Sequence, residues 1–227
     1  MKLSFEILLS IPKSFYVSLR LFPLKEALKL PVLCRYNAKC LSLKGEVLMD
    51  SVSVKPFMLR VGWGKVGIFD KKYSRSILQI DGTIHLDGAG RYYFGQGSRL
   101  CVGKDAHLYI GEDFCNSAEM TIVCMHEMHI GRHVFTSWNT LLMDTDFHAT
   151  RDTLTNEIYP VQSSVFIGNN VWICTRAVVL KGAELPDGCI VGANAVITKK
   201  YKTENCLIAG NPATIKKEHI TMLYSPV

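Results

Sequence analysis

The chain has 227 residues, of which 48% are hydrophobic and 20% are charged, and its net charge is +6. This length is sufficient for one domain with a buried core, and the composition excludes an intrinsically disordered protein. The eight cysteines are scattered without a CxxC pair, a pattern typical of buried thiols in a reducing cytoplasm rather than of a disulfide framework or a zinc knuckle.

The positive charge is concentrated at the N-terminus. Residues 1–44 carry eight Lys or Arg residues against two Glu residues, an excess of six positive charges, whereas the rest of the chain is balanced. Aromatic and leucine residues lie between these charges, so the segment fits either a helical cap over the domain that follows or a surface that contacts an anionic membrane. We expect the cap, because the repeat described below needs its open end closed.

Three prolines limit the helices of this segment. Pro12, Pro23 and Pro31 divide it, and the best helical candidates are Ser14 to Arg20 and Leu24 to Leu30. The apolar run at the start is short, contains Glu6 and lacks a small-residue cleavage site, so we expect no signal peptide. We also expect no membrane span, since no uninterrupted stretch reaches the ~18 apolar residues that one requires.

An irregular repeat begins after this segment. Residues 44–75 alternate in the manner of strands, with glycines such as Gly62, Gly64 and Gly67, which predicts irregular first coils. From Ile80 to Gly111 the chain repeats more clearly, with apolar-glycine steps at Val102-Gly103 and Ile110-Gly111, and a further step follows at Ile130-Gly131. These steps indicate short strands separated by tight corners.

From Ile167 onward the repeat is strict, with an aliphatic residue at every sixth position. A second column of small or compact apolar residues follows four positions after each of the first five anchors. This period fits neither a helix nor an alternating strand, and it predicts a parallel β-helix of triangular section whose anchors stack inward. The glycines between the columns suit corners that need positive backbone dihedrals. The anchors are Ile167, Ile173, Val179, Leu185, Val191 and Ile197; the second column is Val171, Ala177, Ala183, Cys189 and Ala195; the corner glycines are Gly168, Gly182, Gly188 and Gly192.

The repeat is interrupted once. Ile130 and Ile167 are 37 residues apart, one more than a multiple of six, and residues 149–163 are polar and contain a proline. This predicts a loop extruded from the coil. Together these observations predict a cap with irregular first coils at 1–76, a β-helix at 77–217 with coils of about 18 residues, and a tail at 218–227.

The run IGNNVWICTRAVVLKGAELPDGCIVGANAVITKK, followed by AGNPATIKKE, resembles the closing half of the hexapeptide-repeat acyltransferases. The resemblance covers roughly residues 77 to 217 and is closest to the O-acetyltransferases of capsule and O-antigen synthesis and to the maltose and galactoside acetyltransferases. It implies an all-β fold, a left-handed parallel β-helix, with acetyl-CoA as acyl donor and a homotrimer whose CoA grooves lie between adjacent β-helices.

The segment LMDTDFHAT, residues 141–149, carries the candidate general base. In an extended stretch Asp144, Asp146 and His148 would project to one side, and a carboxylate beside an imidazole can hold its tautomer and raise its basicity. An isolated histidine here would more simply be a surface residue. The resemblance favours catalysis, because it implies that His148 is the base, with Trp172 beside it, and that acetyl passes directly from CoA to a sugar hydroxyl.

The resemblance also implies where CoA binds. Ala193, Thr198 and Lys199 match the residues that line the CoA groove, and Lys216 lies in a further basic cluster near the end of the repeat. Cys174 replaces the usual glycine or alanine after VWI and would add volume near the path of the pantetheine arm. A lysine cluster is by itself more often a solvated surface.

Other functions remain open. The reaction could be N-acetylation of an amino sugar or acetylation of a small xenobiotic alcohol, or the chain could be a non-catalytic scaffold. His126, His129, His133 and His148 also fit a zinc-binding β-helix of the γ-carbonic-anhydrase type, but we expect no metal, because the other residues of that family are not apparent. We expect a cytoplasmic protein, at the inner face of the membrane if the N-terminus contacts lipid, that acts on a carbohydrate and binds no nucleic acid.

Overall fold

The computed structural model describes residues 5–49, 53–64, 66–70, 73–88 and 90–223. Two helices are followed by short strands. The helices are α1 (Phe5–Leu21) and α2 (Leu24–Ala27). The strands before the extruded loop are β1 (Val32–Cys34), β2 (Lys39–Leu43), β3 (Glu46–Met49), β4 (Leu59–Val61), β5 (Ile77–Ile80), β6 (Thr83–Leu86), β7 (Tyr93–Phe94), β8 (Arg99–Val102), β9 (His107–Ile110), β10 (Cys115–Asn116), β11 (Thr121–Cys124), β12 (Glu127–Ile130), β13 (Phe135–Thr136) and β14 (Leu141–Met143). The loop and the coils after it contain β15 (Thr150–Arg151), β16 (Ile158–Tyr159), β17 (Val165–Ile167), β18 (Trp172–Ile173), β19 (Val178–Val179), β20 (Glu184–Leu185), β21 (Ile190–Val191), β22 (Val196–Ile197), β23 (Cys206–Gly210) and β24 (Ala213–Glu218).

The strands form three parallel sheets that the chain visits in rotation. The first sheet has the order β1-β4-β7-β10-β13-β18-β21-β23-β24, the second β2-β5-β8-β11-β14-β19-β22, and the third β20-β17-β12-β9-β6-β3. In the described residues the only antiparallel pair within these sheets is the last one, β23 with β24. The prediction of a parallel β-helix is confirmed, because each turn of the chain adds one strand to each side of a triangle.

The predicted inward columns form the core of the last coils. The anchors from Ile167 to Ile197 and the compact residues of the second column are all at most 3% exposed. The predicted extrusion is also confirmed, since Ile130 pairs directly with Ile167 in the third sheet and the 36 residues between them include an external hairpin, β15 with β16. The coil therefore continues beneath the loop without a change in its packing.

The length of the coils differs from the prediction before the loop. In the last coils Trp172 pairs with Ile190, a spacing of 18 residues, as predicted. Earlier, Cys115 pairs with Phe135 at a spacing of 20, and Thr83 pairs with His107 at a spacing of 24. The earlier strands of the second and third sheets have three to five residues rather than two, so these two sides of the triangle are longer and the six-residue period is lost from the sequence.

Only two of the four predicted corner glycines have a positive φ. Gly182 and Gly188 adopt φ of 73° and 71°. Gly168 is glycine for lack of space, because a Cβ there would lie 2.8 Å from the backbone nitrogen of Asp187 in the next coil. At several corners a residue with a side chain adopts the left-handed conformation instead, such as Asn170 with φ of 56°. Asparagine tolerates this conformation better than most residues.

The N-terminal helix is longer than predicted. Pro12 does not end a helix but lies inside α1, on its exposed side. There the carbonyl of Leu8, which loses its partner because proline has no N–H, can be hydrated instead of being buried unpaired. Among the described residues no helix is long and apolar enough to cross a bilayer. The boundary at residue 76 stays a prediction, because the strands rotate through the same three sheets on both sides of it.

Candidate functional site

The extruded loop leaves the corner at which the chain passes from the second sheet to the third. Asp144, the first residue after β14, is fully buried, and its carboxylate accepts hydrogen bonds from the backbone N–H groups of Met125 at 2.8 Å and His126 at 2.9 Å. Its carbonyl oxygen accepts a hydrogen bond from the N–H of Ser163, where the chain returns from the loop. Asp144 therefore fixes the base of the loop to the preceding coil and is not available to a substrate.

The predicted common orientation of the two aspartates and the histidine is wrong. Asp144 points inward, whereas Asp146 and His148 are exposed. Alternation at two-residue spacing holds only in an extended strand, and β14 ends at Met143. Phe147 then adopts a positive φ of 61°, which turns the backbone between the aspartate and the histidine.

The imidazole of His148 contacts the backbone of Asp146 rather than its carboxylate. The Nδ1 atom lies 3.4 Å from the carbonyl oxygen of Asp146, a group that can only accept a hydrogen bond. When this contact is a hydrogen bond, Nδ1 carries the proton and the lone pair of a neutral ring is on Nε2. The contact with a carboxylate that the sequence analysis expected is replaced in this conformation by a contact with a main-chain oxygen.

The carboxylate of Asp146 is paired with a residue that the sequence analysis did not select. Lys181 Nζ lies 2.6 Å from Asp146 Oδ2 and donates a hydrogen bond to the carbonyl oxygen of Pro160 at 2.5 Å. Lys181 occupies the same corner one coil further on. It connects the outgoing segment of the loop, at Asp146, with the returning segment, at Pro160. The only sequence signal for it was its position, six residues before the tight corner at Asp187 and Gly188.

Trp172 lies on the outer side of the first sheet. Its indole Nε1 donates a hydrogen bond to the hydroxyl oxygen of Ser137 at 3.3 Å, and its strand neighbours are Phe135 and Ile190. The ring is half-buried. In this conformation the N–H group is occupied by the preceding coil.

The structure does not bring Trp172 and His148 together within one chain. After the loop the chain crosses the whole third sheet, through β17, before it reaches Trp172 at the start of β18. The imidazole therefore lies near the corner where the third sheet begins, and the indole lies beyond the corner where that sheet ends.

Four of the five predicted CoA-binding residues lie on two corners, and the fifth lies on the last strand. Cys174 and Ala193 occupy consecutive coils at the corner between the first and second sheets. Thr198 and Lys199 occupy the corner between the second and third sheets, two coils beyond the loop, and both are exposed. Lys216 is exposed on β24 at the end of the first sheet.

The Cys174 thiol is not activated. Burial raises its pKa above the usual value, and no other cause acts on it. Because the thiolate is the nucleophilic form of cysteine, a raised pKa disfavours covalent catalysis at this position. The Cys174 side chain is half-buried at this corner, where it occupies more volume than the usual glycine or alanine would.

The other histidines form contacts among themselves and with nearby acids. His85, Tyr109, His129 and Phe166 stack in a column on the third sheet, with ring centroids 4.2, 4.3 and 4.8 Å apart. A hydrogen bond between His129 and Glu127 at 2.8 Å lowers the pKa of that carboxyl group. In the part of the chain that the structure describes, no three His, Cys, Asp or Glu side chains are grouped closely enough to hold a metal ion.

Comparison with known proteins gives the family. The model of the bacterial transferase hexapeptide (six repeats) matches residues 164–199. The putative lipopolysaccharide biosynthesis O-acetyl transferase WbbJ of Escherichia coli K12 is 42% identical over 150 residues, which cover 63% of this chain and 75% of that protein. This chain belongs to the bacterial hexapeptide-repeat transferases. The family confirms the resemblance noted in the sequence and the left-handed winding expected from it.

Other matches are more distant. The galactoside O-acetyltransferase of Escherichia coli K12 is 30% identical over 127 residues, which cover 56% of this chain and 57% of that protein. The chain spans little more than half the length of the two galactoside O-acetyltransferases that it matches. The crystal structure of the polySia specific acetyltransferase NeuO aligns with 86% of this chain, and the alignment includes 78% of the NeuO chain. The sequence identity is 18% and the TM-score is 0.47.

Proposed function

We propose that this hexapeptide-repeat transferase is an acetyl-CoA-dependent O-acetyltransferase that acts on a sugar hydroxyl. The observation that carries the proposal is the exposed imidazole of His148, whose Nδ1 contacts a carbonyl oxygen, an arrangement that leaves Nε2 as the proton acceptor of a neutral ring. Lys199 lies on the corner from which the loop with His148 leaves, but two coils further on. At the usual spacing of strands, two coils correspond to roughly 10 Å along the axis of the β-helix. A base and an exposed cation on one corner suit an acyl donor that carries phosphates.

The proposed reaction needs no covalent enzyme intermediate. Nε2 of His148 accepts the proton of the sugar hydroxyl, and the oxygen of that hydroxyl attacks the thioester carbon of acetyl-CoA. The C–S bond then breaks, the acetyl group stays on the sugar oxygen, and the imidazolium returns its proton to the leaving thiolate. The negative charge on the carbonyl oxygen requires a hydrogen-bond donor, and the Trp172 indole N–H could serve if it is released from Ser137.

The proposed acceptor is a precursor of a cell-surface polysaccharide, of the capsule or O-antigen kind. Relatives are named as acetyltransferases of lipopolysaccharide and of colanic acid biosynthesis, which supports this class of substrate. Both the acyl donor and such precursors are cytoplasmic, so we place the reaction there, at the inner face of the membrane.

The proposal is tested by incubating the purified chain with acetyl-CoA and a panel of nucleotide sugars and surface glycans, with release of free thiol and product mass as readouts. An acetylated sugar whose acetyl group is removed by hydroxylamine is the expected product, because an ester reacts and an amide does not. A hydroxylamine-resistant product would show N-acetylation instead. No thiol release with any acceptor would reject the enzymatic proposal.

Replacement of Lys199 by alanine should weaken the binding of acetyl-CoA. We expect the KM for acetyl-CoA to rise about tenfold with kcat little changed, because a phosphate contact is equally present in the ground state and the transition state. Lys200→Ala is the matched control, since its ammonium group lies 3.4 Å from the carboxylate of Glu184. The difference should vanish with 3′-dephospho-acetyl-CoA if the contact is to the 3′-phosphate. Equal KM values in both variants would place the cofactor elsewhere.

We propose further that the active form is a homotrimer in which His148 and Trp172 of neighbouring copies share a site. We expect Trp172→Ala and His148→Ala each to lower activity as separate homotrimers. Mixed trimers of the two variants should recover activity, because each contains a junction at which the intact histidine of one copy meets the intact tryptophan of the next. Co-expression with two affinity tags and purification of the doubly tagged trimer provides the measurement. Mixed trimers that stay as inactive as the separate variants would contradict the shared site.

A further inference from the structure

The buried side of α1 is half polar, because three serines lie there beside Val17 and Leu21. Ser10, Ser14 and Ser18 recur at a spacing of four residues and are fully buried. Their hydroxyl oxygens accept backbone N–H groups of the edge strand β1 and of Tyr36 just after it: Tyr36 to Ser10 at 3.0 Å, Cys34 to Ser14 at 2.9 Å and Val32 to Ser18 at 3.3 Å. The serines thus satisfy the open edge of the first sheet, so α1 closes this end of the β-helix.

The outer side of α1 is apolar. Its most exposed large side chains fall within an arc of about 120° when the helix is projected at 100° per residue, on the side opposite the serines. Leu24 and Leu28, 67% and 64% exposed, extend the surface beyond α1. A contiguous exposed apolar patch of this kind marks an interaction site. We call this surface the apolar arc; its residues in α1 are Phe5, Leu8, Leu9, Phe15, Tyr16 and Leu19.

A basic cleft borders the apolar arc. It has a volume of about 450 Å³, and its lining includes Lys13, Lys39 and Arg75 together with the rings of Tyr16 and Tyr36. No carboxylate is among the described residues that line it. The ammonium group of Lys13 donates hydrogen bonds to the carbonyl oxygens of residues 36 and 38, at 2.8 and 2.6 Å, which hold it at the edge of the cleft. The cleft therefore suits an anion.

We propose that this end of the β-helix docks on an anionic lipid membrane. The apolar arc enters the boundary between headgroups and acyl chains, and the basic cleft binds a lipid phosphate. This combination is what holds an interfacial helix on a bilayer, namely apolar burial together with attraction to anionic lipid. A second copy docked on the same surface about a two-fold axis would place two sets of the same three cations close together, which disfavours self-association here.

Docking would also set the distance of the candidate site from the lipid. Along the first sheet, β13 and β18 are four and five strands from β1. At the usual separation of neighbouring strands they lie roughly 20–25 Å from the capped end. If the proposed function holds, a sugar chain anchored in the same bilayer has to extend over that distance to reach His148.

The test measures binding of the purified full chain to vesicles, and acetyl transfer does not enter it. We expect co-sedimentation with phosphatidylcholine vesicles that contain about a third phosphatidylglycerol, weakened by salt, and much less with pure phosphatidylcholine. Charging the apolar arc with Leu8→Glu and Phe15→Glu should reduce binding at least about tenfold. Reversing two charges of the cleft with Lys39→Glu and Arg75→Glu should reduce it by a similar factor and remove the dependence on phosphatidylglycerol.

Leu154→Glu is the matched control, since Leu154 is 92% exposed on the distant loop and should leave binding unchanged. All these positions are on the surface, and equal thermal unfolding temperatures would show that the variants remain folded. Equal binding to both kinds of vesicle, or no effect of the arc and cleft variants, would reject the proposal. Two further results would also overturn it: a fall in oligomer mass for Leu8→Glu would identify the arc as an interface between copies, and release from vesicles by millimolar inorganic phosphate would identify the cleft as a site for free phosphate.

Discussion

His148→Ala should lower kcat by roughly 10² to 10⁴ and leave both the affinity for acetyl-CoA and the thermal stability nearly unchanged. The loss arises in the transition state, where no other group replaces Nε2 as acceptor of the hydroxyl proton. The stability should not change, because the side chain is exposed and its hydrogen bond to the carbonyl oxygen of Asp146 is long at 3.4 Å. Steady-state kinetics with a fixed acceptor, together with a thermal unfolding curve, provide the measurement.

Two matched variants define what the loss means. Asp146→Ala keeps the carbonyl group that contacts the imidazole and removes only the ion pair with Lys181, so we expect a smaller loss that Lys181→Met reproduces. His133→Ala removes an imidazole that lies 3.2 Å from Asp113, away from the loop, and should leave turnover unchanged. Full turnover in His148→Ala would remove this residue from the mechanism. Zinc bound at His126, His129 or His133 in that case would favour the metal-binding alternative.

The fold was predictable where the physical constraint on each residue was local and repeated. Between Ile167 and Ile197 the sides of the triangle repeat at six residues, so the buried position recurs at every sixth residue and is visible in the sequence. Before the loop, corners are formed by residues such as Asp105 and Asp113 with φ of 61° and 58°, and the sides vary in length. The same fold is present before the loop, but buried residues do not recur there at one constant spacing in the sequence.

The candidate site was less predictable because it depends on contacts between coils. The sequence places Asp144 and Asp146 symmetrically about Thr145, yet one carboxylate is buried against the backbone of the preceding coil and the other pairs with Lys181 of the next coil. Neither partner is near in sequence, so spacing alone could not assign the two roles. For the same reason the proximity of Trp172 to His148 could be taken only from the resemblance, and in one chain a complete sheet lies between them.

The N-terminal segment shows a different limit. The sequence offered a cap or a membrane surface as alternatives, because its leucines and phenylalanines could serve either role. The structure shows which side is buried, since the serine hydroxyl groups on that side accept the backbone N–H groups of the edge strand β1 and of Tyr36 just after it. The two roles are then compatible, because the cap uses one side of α1 and leaves the apolar side exposed.

The inward columns carry the second prediction with a large expected effect. Val178 and Val179 are adjacent in β19, but Val179 is fully buried in the core and Val178 is half-buried on the outer side of the second sheet. Val179→Asp should lower the free energy of unfolding by about 4 kcal/mol or more, because it places a carboxyl group in a core that offers it no partner. Val178→Asp places the same group outside and should cost less than about 1 kcal/mol.

Urea unfolding followed by circular dichroism measures the difference between these two variants, and its dependence on pH checks the cause. Burial raises the pKa of a carboxyl group in the folded state above its value in the unfolded chain. The folded state then binds more protons than the unfolded state between those two pKa values, so the stability of Val179→Asp should increase relative to Val178→Asp as the pH falls through that window. A difference that does not depend on pH would show that the cost comes from altered packing volume rather than from a buried charge. Equal stability of the two variants at neutral pH would show that the column from Ile167 to Ile197 does not form the core of the coil.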